Sequence, residues 1–206
     1  MTLNRRELFI GGAVLALSLP QAAAAEDNPM PEVLREAIER QPFSPVMGNP
    51  KGNITLTEFF DYNCPICREV PPLLQKLVAE DKDLRIVLRE WPVLRPESEV
   101  IAQISLATLK QDKYWQFHYK MLQSQRGSGE QAAMAIAKEI GLDLQKLKRD
   151  MESEEVMGHI YQSLDLGDHM GLTGTPTFIA GNDGRFGRQS LAELKALIQE
   201  ARASLL

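Results

Sequence analysis

Ile54-Thr55-Leu56-Thr57-Glu58-Phe59-Phe60-Asp61-Tyr62-Asn63-Cys64-Pro65-Ile66-Cys67 runs from a β-branched and aromatic stretch straight into two cysteines separated by two residues. The composition of residues 54–62 predicts a buried strand. Asn63 ends it, and Cys64 reads as the opening of a helix continuing to about Glu80. Pro71 and Pro72 lie inside that helix and should kink it after the first turn or two. A thiol at a helix start meets unpaired amides and the positive end of the helix dipole, which favour its anion. Cys64 should therefore ionise readily. Cys67, one turn further in, should be less exposed and suited to resolving a mixed disulfide by attacking Cys64. A free thiol is only about 3% thiolate at pH 7, and lowering its pKa to ~6 makes the anion dominant.

These are the only two cysteines in 206 residues. A structural bridge gains most by closing a long loop, so a pair this close is better suited to redox chemistry. Half of a zinc site is the bland alternative, but zinc needs two more ligands, and His118, His159 and His169 have no ligand spacing. A Cu(I) carrier using the two thiolates is a further reading, one that would favour extra exposed Cys, Met or His near the pair.

The compartment is suggested by the N-terminus. Arg5 and Arg6 precede an apolar run to Leu19, Pro20 breaks it, and Ala22 to Ala25 supply small residues before Glu26. Residues 1–25 thus read as a signal peptide cut near Ala25, too short in its apolar core for a spanning helix. The arginine pair is similar to a twin-arginine export signal, although a general secretory signal also begins with basic residues. The destination implied is the periplasm, where a disulfide-exchanging pair has work to do. The net charge of −5 gives no reason to expect a nucleic-acid or anionic-membrane partner. Hydrophobic and charged fractions of 44% and 25% are those of an ordinary globular chain.

Downstream of the signal, residues 26–43 read as an arm followed by a short amphipathic helix from Glu32 to Arg40, packed on its own domain or frayed. Pro42, Pro45, Gly48, Pro50 and Gly52 punctuate a loop before the first strand. Leu84 to Trp91 alternates and reads as a second strand, parallel to the first across a helical crossover. Residues 97–172 read as four or five helices: Ser98–Lys110, Asp112–Leu122, Gln131–Ile140, Leu142–Met151 and Glu154–Met170. A break falls at Gln125–Gly129, and Gly141 reads as a C-terminal cap. Trp91 and Trp115 read as core. Thr175–Ala180 is then a strand, Gly181-Asn182-Asp183-Gly184 a turn, Arg185–Arg188 the return strand, and Ser190 the cap of a last helix through about Ala203.

Glu58 to Cys67, taken with Gly174-Thr175-Pro176-Thr177-Phe178, resembles the DsbA-type branch of the thioredoxin superfamily, especially its shorter Com1-like and ScsC-like members. Arg89 to Leu94, Tyr114 to His118 and Gly171 to Thr173 support the likeness over roughly residues 44–204. The resemblance implies an α/β thioredoxin-like fold with an all-helical insertion at about 97–172, within a domain spanning 44–206. It implies thiol–disulfide exchange with cysteine-bearing exported proteins, with Cys64 as nucleophile and Cys67 as resolving thiol. No dissociable cofactor is needed and no metal is implied. A membrane redox partner, either a quinone-linked oxidase or a thiol-transferring reductase, would reset the pair.

Residue by residue, Thr175-Pro176 would be a cis peptide facing the Cys64 sulfur, with the Thr175 backbone pairing with an extended substrate segment. An ordinary strand-opening proline is the alternative. Pro65 and Ile66 would flank the bound substrate. Glu58 matches the buried acid of the superfamily and could take the Cys67 proton during resolution, the alternative being a solvated strand glutamate. Many such oxidases carry histidine in the central dipeptide. Ile66 cannot donate to the thiolate, which implies a higher Cys64 pKa and a weaker oxidant. The threonine before Pro176 is closer to isomerase-like members, so oxidase, isomerase and reductase all stay open. A monomer is the first expectation. A homo-oligomer is the alternative, because a longer N-terminal segment drives oligomerisation in some ScsC-like relatives.

Overall fold

β2 (Ile54–Phe60) and β3 (Leu84–Glu90) are parallel neighbours, with Ile54 opposite Leu84 and Phe60 opposite Glu90. In the computed structural model, which describes residues 29–124 and 129–206, every residue of both strands is buried. A parallel pair needs a crossover and is covered on both faces, which explains the apolar density of these stretches. β1 (Val46–Gly48) pairs antiparallel with β3 on one side. β4 (Thr177–Ala180) pairs antiparallel with β2 on the other, and β5 (Asp183–Phe186) completes the order β1-β3-β2-β4-β5. The signal-peptide reading of residues 1–25, and most of the break at 125–129, lie outside the described residues.

One sheet face carries Leu56, Phe60, Ile86 and Leu88 into the main core, shared with the helices that follow β3. These are α3 (Pro96–Ala107), α4 (Tyr114–Gln123), α5 (Glu130–Glu139), α6 (Leu144–Met151) and α7 (Glu154–His169). α3 packs against the other four. The opposite face carries Phe59 and Ile179 into a second core, where α1 (Glu32–Glu39) inserts Ile38 and Trp91 stands edge-on to Phe59. The N-terminal helix therefore packs rather than frays, and both Trp91 and the half-buried Trp115 are core residues.

Several local expectations are corrected. Cys64 does not open a continuous helix. A 3-10 turn at Cys67–Glu69 comes first, and α2 (Pro71–Glu80) begins at the prolines. Proline lacks the N–H that the first helical position leaves unpaired anyway, so Pro71 and Pro72 start the helix instead of kinking it. β1 lies in what reads as pure loop, because a three-residue edge strand is too short for a compositional signature. α6 begins two residues later than Leu142, with Asp143 accepting from the Gln145 and Lys146 amides as its cap. Gly141, at φ +77°, ends α5 as anticipated. The β4–β5 turn is only Gly181-Asn182, since Ala180 already pairs with Asp183. Gly181 takes φ +58° there, and the return strand starts two residues early. α8 (Leu191–Leu205) opens on a capping box between Ser190 and Glu193.

Candidate active site

The antiparallel pairing of Phe59 with Thr177 lays the start of β4 beside the end of β2. From β2 the chain turns through Asp61, Tyr62 and Asn63 to Cys64. From the other side come Thr175 and Pro176, joined by a cis peptide bond. The structure thus brings together Cys64, Cys67, Thr175 and Pro176, residues 111 positions apart in the case of Cys64 and Thr175.

Both cysteines are free thiols, and exposure hardly distinguishes them, at 2% and 1%. Their surroundings do. The Cys64 thiol donates to the Thr175 carbonyl at 3.3 Å, and its sulfur accepts the Cys67 amide at 3.3 Å. The Cys64 pKa falls from 9.0 to about 6. The Cys67 thiol contributes most, burial opposes, and the Thr175 side chain and the Cys67 and Ile66 amides add to the lowering. The Thr175 hydroxyl is buried with no hydrogen-bond partner among the described residues, which leaves it free to serve the thiolate. Cys67 moves the opposite way, far above the ordinary thiol range. Burial dominates, followed by the bond to Cys64 and the charge of Glu58, while a backbone hydrogen bond from Asp61 counteracts them.

Glu58 is buried rather than solvated, at 2% exposure. Its carboxyl is held well above the usual carboxylate range by desolvation, then by the negative charges of Cys64 and Glu90. A carboxyl in that state keeps its proton to a higher pH than a free glutamate does, and so has a proton to give to a neighbouring base. Pro65 is exposed at the tip of the turn. Ile66 is half-buried and lines a cleft of about 360 Å³ with Val70, Leu73, Arg188 and Gln189. A larger cleft, about 580 Å³, lies between α2 and α8 among charged side chains, away from the thiols. Among the described residues, no three His, Cys, Asp or Glu side chains gather as metal ligands.

Two polar clusters beside the thiols escape sequence reasoning. Asp61, 2% exposed, accepts from the Asn63 amide, the Ser98 hydroxyl and the Val93 and Leu94 amides. Deeper in, Glu90 accepts from Tyr114 at 2.6 Å and from Ser105 at 3.2 Å, and Ser105 bonds Tyr62 at 2.6 Å. Tyr62 also meets His118 Nδ1 at 3.1 Å. His159 Nε2 lies 3.1 Å from Glu90 but off the hydrogen-bond line, the loose end of this network. Burial lowers the His118 pKa to about 3, so that ring is neutral. Only the polar residues beside apolar ones in Tyr62-Asn63 and Arg89-Glu90 hint at these clusters, and their partners lie far along the chain.

Known proteins share this fold. The family model described as Thioredoxin matches residues 40–200. The structure of a thioredoxin-like oxidoreductase from Silicibacter pomeroyi DSS-3 is 40% identical and superposes with a TM-score of 0.79, covering 82% of this chain and 98% of that one. A periplasmic thioredoxin-like protein from Salmonella enterica serovar Typhimurium is 26% identical, with a TM-score of 0.74 and coverage of 84% and 98%. Among curated proteins, the Na(+)/H(+) antiporter NhaA 3 of Salinispora tropica is 26% identical over 161 residues, which is 77% of this chain. The match takes in 25% of the antiporter, so the chain spans about a quarter of that relative's length. Among the described residues of this chain, no helix is long and apolar enough to cross a membrane. Matched in sequence and superposed over most of its length, the chain belongs to the thioredoxin family, among the DsbA-type thiol–disulfide oxidoreductases.

Proposed function

We propose that this protein exchanges disulfides with exported polypeptides in the periplasm through Cys64 and Cys67, and that a membrane redox partner resets the pair. The observation that carries the reading is the opposite treatment of two equally buried sulfurs: Cys64 is pulled down to about 6 while Cys67 is pushed up. Such a pair has one thiolate ready at neutral pH and one that waits for a base. The export-signal pattern of residues 1–25 and the periplasmic relative support the compartment.

In the oxidising direction, a substrate thiolate attacks the Cys64 sulfur of the disulfide. A new S–S bond forms, the Cys64–Cys67 bond breaks, and the electron pair leaves on Cys67. The Cys67 sulfur takes its proton from the Glu58 carboxyl. A second substrate thiolate then displaces Cys64 as its stabilised thiolate, so the substrate leaves oxidised and the pair holds two electrons. The extended substrate lies along the Thr175 backbone, between Pro176 and the Pro65-Ile66 dipeptide.

Insulin reduction and refolding of a reduced, disulfide-requiring substrate test the reading. The parent should be active, C64S inactive, and C67S arrested as a mixed disulfide with substrate. Activity surviving in C64S, or copper uptake without any exchange, would overturn it. The direction follows from the potential in glutathione buffers. About −120 mV marks an oxidant, whereas about −180 mV or lower marks an isomerase or reductase held reduced by its partner. The absence of histidine from the dipeptide and the threonine before Pro176 favour the second of these.

A further inference from the structure

Phe186 ends β5, an edge strand, and is 59% exposed. Its pairing with Thr177, itself opposite Phe59, puts it on the sheet face of the second core. A lone exposed phenylalanine needs no explanation, but this one has a seat. Its ring lies against Gly174, where a Cβ would stand 2.9 and 3.1 Å from two ring carbons. Only glycine lets ring and backbone approach so closely. The Thr177 hydroxyl donates to the Gly174 carbonyl at 2.7 Å, and the Gly187 amide donates to the Pro176 carbonyl at 2.8 Å. Seat and ring are thus both tied to the cis-proline strand.

Gly174 immediately precedes Thr175, whose carbonyl accepts the Cys64 thiol at 3.3 Å. An extended chain joined to Cys64 and lying along Thr175 advances about 3.3 Å per residue. The side chain one or two positions from its cysteine therefore reaches the Phe186 ring. The opposite flank is apolar too. Val93 and Leu94 are 44% and 45% exposed, their amides held by the Asp61 carboxylate, while the Asp61 carbonyl accepts the Cys64 amide. The other large apolar side chains left in water among the described residues lie on α1, on α7 and at the C-terminus. Exposed apolar surface on the body of the domain is thus gathered beside the thiols.

We propose that Phe186 is a specificity-determining residue, which with Val93 and Leu94 makes the protein favour cysteines that have a large apolar side chain one or two positions away. The proposal rests on the exchange reading above and names its substrate class. Cysteine and the large apolar residues are among those most often buried in folded proteins, so such a segment is open to attack chiefly before its protein has folded. The Phe186 grip is separate from the Ile66 cleft, which Val70, Leu73 and Glu193 line on the main-core face of the sheet.

The deciding experiment compares two single-cysteine peptides as reductants of the oxidised protein, one with leucine and one with serine at the two positions on each side of the cysteine. Two peptide thiols become one peptide disulfide, and the Cys64–Cys67 bond breaks as the pair takes up two electrons and two protons. Alkylation of the freed thiols and mass spectrometry give the rates. The parent should react about tenfold faster with the leucine peptide, the gain expected from covering much of an exposed ring. F186T, a residue suited to an edge strand, should cut that ratio to about twofold, and F186L should keep most of it. Taking the ratio in each protein cancels the peptides' own reactivities, and dithiothreitol reports reduction without any side chain to grip. A merely structural role would slow dithiothreitol and both peptides alike, which overturns the proposal. So does a ratio unchanged in F186T. A parent that reacts equally with both peptides overturns it whatever the variants do, while leaving the exchange reading intact. A parent that neither peptide reduces and that leaves insulin untouched would sink the exchange reading, and this proposal with it.

Discussion

The two sides of the thiol pair make an instructive contrast. On one side Cys64 faces backbone donors and the Thr175 hydroxyl; on the other Cys67 faces Glu58, with Glu90 behind it. Water is excluded almost equally from both sulfurs, at 2% and 1% exposure. Burial alone would push both pKa values up. Desolvation leads at Cys67 but is outweighed by hydrogen bonds at Cys64, so the asymmetry depends on where donors and acids are placed around each sulfur, and each placement can be removed singly.

The largest effect belongs to Glu58. On the proposed mechanism, E58Q loses the group that carries the Cys67 proton and should lengthen the life of a trapped mixed disulfide about a hundredfold. First attack by Cys64 should stay nearly intact, as timed mass spectrometry of the mixed disulfide would record. An unchanged lifetime removes Glu58 from the mechanism. The same substitution should alter stability with a definite sign. A carboxyl with a raised folded pKa holds more protons folded than unfolded. Its contribution is full below the unfolded value of 4.5 and is lost as pH rises through the folded value. The parent should thus lose stability with rising pH across that window, and E58Q should lose less, so that it melts higher than the parent near pH 7. The acid would then be retained at a cost in stability.

That contrast also marks how far the sequence could be read. The strand-to-cysteine stretch at 54–67, the parallel strand at 84–90 and the cis proline segment are carried by local composition or by a contiguous motif. Glu58 was legible for the same reason, six residues from Cys64. Asp61 and Glu90 were not, because what makes them important is a partner elsewhere: Ser98 is 37 residues from Asp61, and Tyr114 is 24 residues from Glu90. Glu90 sits in an alternating stretch where a polar residue reads as solvent-facing, yet it is 1% exposed. Its neighbour Arg89 is fully buried too, held by Ser163 at 3.1 Å and Gln162 at 3.0 Å. Local periodicity reports a strand but not what covers it, and helices from a later part of the chain cover both faces here.

A middle-sized effect should come from Thr175, on the other side of the pair. T175V keeps the shape and the carbonyl that meets Cys64 but deletes the hydroxyl. The Cys64 pKa should rise by roughly one unit from its value of about 6, measured by thiolate absorbance. The sign of the linked stability is opposite to that of Glu58. A depressed thiol pKa stabilises the reduced protein above that pKa, and the gain disappears as pH falls through about 6. T175V should therefore narrow the stability gap between reduced and oxidised forms at pH 7, and make the pair less oxidising by up to about 30 mV. A midpoint unmoved by the substitution would assign the low pKa to the amides and the Cys67 thiol alone.

The smallest effect sharpens the contrast furthest from the sulfurs. Glu90 raises the Glu58 pKa through its charge, and on the sheet it lies one strand over on the same face, opposite Phe60 while Glu58 is opposite Leu88. In E90Q the amide oxygen can still accept from Tyr114 and Ser105, and the new NH₂ can turn towards His159, which burial keeps neutral. The fold should survive with a stability change within about 1 kcal/mol. With one neighbouring charge gone, the Glu58 pKa should fall, and the pH at which the mixed disulfide resolves fastest should move down by a few tenths of a unit, on the order of what a charge in a neighbouring strand exerts. A resolution profile that stays in place while E58Q abolishes it would mean that desolvation alone sets the acid, and that the Glu90 network serves packing of the helices rather than proton transfer.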